Sequence, residues 1–171
     1  GLGHVELAMV QAEAARSYYG PWVLNCQAPD EGNMHTLPHW ATDAQQEKYL
    51  RPLCEGTTWS CFAMTEPEVA GSDPTLIQTS AYPDGDEWVI NGEKWFTSAG
   101  RAADILFVMC TNGMFVVPRD TPGVEIMPEP RTHNHIKYND VVVPADHLLG
   151  PEDGARVLAQ RRLGGGRIHH A

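Results

Sequence analysis

The sequence predicts an α+β fold in which helices flank a central antiparallel sheet or barrel, and three observations carry that expectation. Apolar residues recur at helical spacing between Leu2 and Tyr19, the period shortens to that of strands after Gly56, and helix-like spacing returns from Asp153. At 171 residues the chain is long enough for one ordinary domain, or for one domain with pieces of its neighbours.

The first helix rests on Leu2, Val5, Ala8, Met9, Ala12 and Ala15, which share one face, and Gly20-Pro21 stops the pattern. Gly, Pro, Asn and Asp between Asn25 and Trp40 read as loop. A second helix is expected from Thr42, because Thr42-x-x-Gln45 has the form of a capping box, and it should end near Leu50 ahead of Pro52. Trp59 to Met64 reads as extended, and Leu76 to Tyr82 leads into a Pro83-Asp84-Gly85 turn. Asn91-Gly92 between Trp88-Val89-Ile90 and Lys94 to Thr97 is a hairpin signal of the type I′ kind. Strands follow at Asp104 to Cys110, Met114 to Val117, Val124 to Met127 and Lys137 to Val143, before a helix-like stretch interrupted by Gly164-Gly165-Gly166. Both terminal helices lack an obvious partner within the chain, so the expectation is of a piece truncated at both ends: helices over 1–56, a β-domain over 57–150 and the start of another helix over 151–171.

Composition excludes several function classes. A formal charge of −10 opposes a phosphate-backbone partner, so nucleic acid is not expected. No apolar run is long enough to span a bilayer, and no charged start with an apolar run marks a secretory signal. Cys26, Cys54, Cys61 and Cys110 show no C-x-x-C spacing and read as reduced thiols, placing the protein in a bacterial cytoplasm or an organelle matrix. No metal site is expected, since Leu37-Pro38 between His35 and His39 breaks the helical spacing of a ligand pair.

The chemistry is concentrated in Cys61-Phe-Ala-Met-Thr-Glu-Pro-Glu-Val-Ala-Gly-Ser-Asp73. A strand ending at Thr65 sets a hydroxyl and backbone N–H groups at a sheet edge, Pro67 stiffens the bend, Gly71 clears a side chain for close approach, and Ser72 adds a second hydroxyl. On their own these residues favour a plain turn over a ligand site.

Four segments in order resemble the acyl-CoA dehydrogenases: Phe62-Ala-Met-Thr-Glu-Pro-x-x-x-Gly-Ser-Asp73, Asn91-Gly-Glu-Lys-Trp-Phe-Thr-Ser98, Val141-x-Val-Pro-x-x-x-Leu-Leu-Gly150 and Gly165-Gly-Arg-Ile168. Asn25-Cys-Gln-Ala-Pro-Asp-x-Gly-Asn-Met34 and Gly166-Arg-Ile-His-His170 are most similar to the branch that includes the family's members ten and eleven.

The resemblance implies a β-barrel or sandwich middle domain between two helical domains, holding FAD with an acyl-CoA against the flavin. It implies that Phe62, Met64 and Thr65 line the flavin, with Thr65 at the pyrimidine end. Phe96 would lie against the ring, Thr97 would contribute backbone, and the Ser98 hydroxyl would point at N5. Gly71 and Ser72 would sit where the pyrophosphate and the acyl-CoA meet, and Arg167 would contact CoA or a second subunit. The implied reaction forms an α,β-double bond in a long-chain or unusual acyl-CoA, as in fatty-acid β-oxidation. Electrons would pass to an electron-transfer flavoprotein or similar acceptor, in a homodimer or homotetramer. An oxidase of the same fold, and a non-catalytic FAD- or nucleotide-binding β-module, are the alternatives. The family's catalytic base, a carboxylate of the C-terminal domain, matches no residue here.

The chain departs from the family pattern in several places. One extra residue separates Pro67 from Gly71, Phe96 stands where many relatives have tryptophan, and Gly164 stands where many have aspartate. The joins at Thr111-Asn112-Gly113 and Arg131 to His135 are shorter than in relatives, so residues are expected to be missing near Asn112 and Thr132. Glu66 is expected to hold the turn, and Trp59, Trp88 and Trp95 to be core.

Overall fold

The computed structural model of the chain describes residues 2–128 and 133–169. Its helices are α1 (His4–Ala14), α2 (Gly20–Val23), α3 (Asp30–Trp40), α4 (Asp43–Gln45), α5 (Arg51–Glu55) and α6 (Ala155–His169). Its strands are β1 (Ser60–Ala63), β2 (Ser80–Asp84), β3 (Glu87–Ser98), β4 (Ile105–Cys110), β5 (Gly113–Pro118), β6 (Val124–Ile126), β7 (His133–Pro144) and β8 (Leu148–Leu149).

Two four-stranded sheets, ordered β1-β4-β5-β8 and β2-β3-β7-β6, face each other as an open sandwich and do not close into a barrel. All pairings are antiparallel except β1 with β4, which run parallel. Strand alternation divides the core. Leu106, Val108 and Cys110 on β4 point between the sheets and pack with Trp88, Ile90, Ile136, Tyr138 and Val141. Phe107 and Met109 point the other way, onto Leu37, Tyr49, Leu53 and Leu158 of the helices. Each such large apolar side chain stabilises the fold by about 1.5–3 kcal/mol on burial.

The Thr42 capping box is present: the Thr42 hydroxyl accepts from Gln45 N–H and the Gln45 side chain accepts from Thr42 N–H. The helix does not end at Leu50, however. A π-helical turn, Gln46–Leu50, joins α4 to α5, which runs to a left-handed Gly56. The wider turn relieves the clash between the Pro52 ring and the carbonyl four residues back. Asn25 to Trp40 is likewise not loop throughout, because α3 occupies Asp30–Trp40 with Pro38 inside it. Packing of Leu37 and Asn33 outweighs the local breakers there. His35 and His39 therefore do lie one turn apart on a helix, and the expectation that proline separates them fails.

Asn91-Gly92 is not a hairpin turn. β3 runs through it, with a register shift against β7 between Ile90 and Gly92. Gly92 (φ 150°) passes so close to Thr79 that a Cβ would lie 2.4 Å from Thr79 Oγ1, and the Asn91 side chain bonds Asp140 instead of closing a turn. The glycine serves close approach and a bulge. Gly164-Gly165-Gly166 does not interrupt α6. Thr111-Asn112 forms a tight two-residue connection between β4 and β5, with Asn112 bonded to the backbone of Ala81. The Arg131–Thr132 part of the other short join lies outside the described residues. The α1 face expected to be buried leaves Leu2, Val5 and Met9 exposed.

Candidate functional site

Thr65 stands where the chain leaves β1, tied to β3 on both sides. Trp95 N–H donates to the Thr65 carbonyl at 3.0 Å, and the Thr65 hydroxyl donates to the Trp95 carbonyl at 2.7 Å. Its proton is thus committed to β3, and the remaining lone pairs of Oγ1 are free to accept from an N–H.

Beneath this edge lies a buried ion pair. Lys94 Nζ donates to Glu66 Oε1 at 2.7 Å and to the Met64 carbonyl at 2.9 Å, while Glu66 also accepts from the backbone N–H groups of Gln78 and Thr79. Both side chains are at most 5% exposed. Burial pulls the Lys94 ammonium down. Burial would raise the Glu66 carboxyl, but the bonds from Lys94 and Thr79 outweigh it and hold the group below its ordinary range. Glu66 therefore holds the bend through partners a dozen or more residues away.

Two to four residues beyond Lys94 on β3, roughly 7–13 Å at strand spacing, come Phe96, Thr97 and Ser98. Phe96 adopts φ 51° and is 57% exposed, its ring tilted against Trp95 at 4.7 Å. A bulky residue in the left-handed region marks strain held by its surroundings. Thr97 is fully buried, and its hydroxyl has no hydrogen-bond partner among the described residues. Ser98 pairs in register with His133, Ser98 Oγ lying 2.8 Å from His133 Nδ1.

The other predicted residues are placed as follows. Met64, Thr65 and Gly71 line one small cleft of about 10 Å³. A Cβ added to Gly71 would meet only Thr65 Cγ2, at 3.7 Å. Ser72 is exposed beside the cleft and does not line it. Phe62 is packed on the helical side, its ring under the Arg162 guanidinium at 3.9 Å. Arg167 belongs to α6, but its side chain lies outside the described residues. Of Trp59, Trp88 and Trp95, Trp88 alone is core, because Trp59 and Trp95 keep 41% and 36% of their surface.

Sequence reasoning passed over Lys94, His133 and Arg162. Lys94 could have been found from a cation in a strand whose apolar neighbours face inward, with Glu66 as its complement. Arg162 had no such signal, since its partners come from distant segments. Its Nε donates to Asn33 Oδ1 at 2.7 Å and its Nη2 to the Pro29 carbonyl at 3.1 Å; Asn33 in turn bonds Ser60, which donates to Asp30. Burial lowers Arg162 to about 10, leaving it charged at neutral pH. Burial raises the Asp30 carboxyl, against the Ser60 bonds. No group of three or more metal-ligating side chains is found among the described residues.

Residues 61–141 match the family model described as the acyl-CoA dehydrogenase middle domain. The chain is 39% identical to acyl-CoA dehydrogenase family member 11 of Homo sapiens over 99% of its own length and 25% of that protein's. The chain belongs to the acyl-CoA dehydrogenase family. A solved acyl-CoA dehydrogenase structure from Mycobacterium abscessus superposes with a TM-score of 0.92 at 36% identity, covering 99% of this chain and 47% of that one. A glutaryl-CoA dehydrogenase from Mycobacterium smegmatis, in complex with FADH2, superposes at 0.70 and 26% identity over 77% of this chain and 36% of that one. This acyl-CoA dehydrogenase chain thus spans between a quarter and a half of the length of these relatives. Its alignment with the human relative runs over 194 positions against 171 residues, so that relative carries insertions that this chain lacks.

Proposed function

We propose that the Thr65–Ser98 edge is one wall of an FAD site in an enzyme that introduces an α,β-double bond into an acyl-CoA thioester. The observation that carries this reading is the set of unused groups on one edge: the free lone pairs of Thr65 Oγ1 and the exposed Phe96, with the partly exposed Ser98 beyond them. They fit a flat heteroaromatic ring with both donors and acceptors.

FAD, when bound, supplies the two-electron acceptor for the reaction. The chain's residues bind and orient it. Thr65 accepts from the N–H at the pyrimidine end, Phe96 lies against the ring, the Thr97 backbone and the Ser98 hydroxyl border the N5 edge, and Phe62 and Met64 add apolar lining. Gly71 and Ser72 leave backbone and a hydroxyl open for the pyrophosphate and the acyl-CoA, and Arg167 contacts CoA or a second subunit. Donors fixed by the Lys94–Glu66 pair and the β3–β7 ladder stabilise charge on a reduced ring without reorganising. The base that takes the α-proton is assigned to no residue of this chain.

A long-chain or unusual acyl group, a role in β-oxidation, an electron-transfer flavoprotein or similar acceptor and a homo-oligomer belong to the same reading. So does the division into helical (1–56), β (57–150) and helical (151–171) portions. The experiment is replacement of Thr65 by Ala and of Ser98 by Val in the full-length protein. Reduced flavin content in the first and slowed flavin reduction in the second support the assignment, whereas unchanged content and rate refute it.

A further inference from the structure

We propose that His133 is a positioning residue that sets the direction of the Ser98 hydroxyl proton and so links the FAD site to pH. The inference rests on the reading above, in which Ser98 faces the N5 edge.

The geometry comes from the ladder as much as from the side chains. Ser98 and His133 are cross-strand partners at the end of the β3–β7 pairing, and Thr97 and Asn134 beside them are buried. Asn134 Oδ1 accepts from Arg101 N–H, which fixes the chain just beyond Ser98. The pair is therefore held at 2.8 Å by backbone on both sides.

A serine hydroxyl has one proton to give, and an imidazole Nδ1 either accepts or donates. When His133 Nδ1 is unprotonated, it accepts the Ser98 proton and turns that proton away from the flavin edge. When His133 is charged, Nδ1–H donates to Ser98 Oγ, and the Ser98 proton is released to point outward. The two states of one ring give two directions of the neighbouring O–H. A charged His133 also adds positive charge beside that edge, which favours an electron-rich ring. The added charge raises the flavin reduction potential on the acid side, whereas the released Ser98 O–H bonds N5 in the oxidised ring, where that nitrogen accepts, so both act on the potential as His133 changes charge.

The charged and titratable groups on β3, β6 and β7 around His133 include Glu93, in contact with His135, Lys94, paired with Glu66, Lys137 and Glu125, with Arg101 in the turn after β3. Glu93 is engaged by His135, and Arg101 Nη2 by the Met127 carbonyl. Among the described residues, His133 is the titratable group bonded to Ser98.

The test measures the flavin reduction potential of the full-length, FAD-loaded protein over the range in which histidines change charge, about pH 5 to 8. Wild type, His133→Asn and Ser98→Ala are compared. The titration of the His133 imidazole is followed by nitrogen NMR in the flavin-free protein, in wild type and Ser98→Ala. The expected result is an inflection in potential against pH that both variants lose, together with a His133 titration that moves when Ser98 is replaced. An inflection that survives His133→Asn, while Ser98→Ala alters the flavin spectrum, overturns the inference and leaves the site reading intact. A flavin spectrum and potential indifferent to Ser98→Ala overturn both.

Discussion

A lysine with no exposed surface is the residue on which the site's frame depends. Lys94 joins β3 to the Met64 carbonyl and to Glu66, which in turn holds the Gln78 and Thr79 amides. Replacing Lys94 by Met leaves Glu66 as an uncompensated buried charge, and breaking such pairs costs about 3–5 kcal/mol. Denaturant unfolding should show a loss of that size, and a loss below about 1 kcal/mol contradicts the assigned role. The pair also predicts a pH dependence. Because the folded Glu66 pKa lies below its unfolded value, its contribution is present above the ordinary glutamate range and is lost as pH falls through the depressed folded value. Unfolding midpoints should therefore fall on acidification in wild type and fall less in a Glu66→Gln, Lys94→Met double variant. Gly71 gives the opposite kind of prediction. Its missing Cβ clashes with nothing in the chain, so Gly71→Ala should keep the melting temperature within a few degrees and lose affinity for FAD or acyl-CoA. A large drop in melting temperature would make Gly71 a packing residue instead.

At the scale of elements, what was legible depended on whether local and tertiary signals agreed. The Thr42-x-x-Gln45 box reports a cap made within four residues, and the structure forms it. Strands β4 and β5 were legible because their apolar residues fill two buried faces, and β7 because buried residues alternate with more exposed ones. Asn91-Gly92 misled because its local chemistry is that of a turn, whereas the bulge it makes is fixed by Thr79 and Asp140, which no local window contains. Helix α3 was hidden for the same reason, its proline and glycine breaking a pattern that burial against β4, β5 and α6 restores. The candidate site followed this division. Thr65 and Ser98 were singled out from motifs, and His133 was not, because its contact with Ser98 exists only once β7 lies beside β3. The bulge gives the element-scale prediction. Gly92→Ala places a Cβ 2.4 Å from Thr79 Oγ1 at φ 150° and should destabilise the protein by about 1–3 kcal/mol. Thermal unfolding measures it, and a neutral result would mean that the strand runs straight.

For the whole molecule, the sandwich and its helical layer form a scaffold that is buried on the β side and open on the helical side. Leu2, Val5, Met9, Tyr18, Tyr19 and Val23 are largely exposed in this chain, more apolar surface than soluble monomers commonly leave in one region. The isolated 171-residue chain should bind a hydrophobic dye strongly, and the full-length protein should bind it weakly. Equal binding would show that the longer protein leaves α1 and α2 uncovered.

The central claim is that this chain supplies one wall of a flavin site that serves acyl-CoA oxidation. It is tested most directly by the visible absorption spectrum of the full-length protein, recorded anaerobically before and after addition of a long-chain acyl-CoA. The account predicts oxidised-flavin bands that bleach on addition. Purified full-length protein with no flavin bands, taking up none from added FAD, would contradict it.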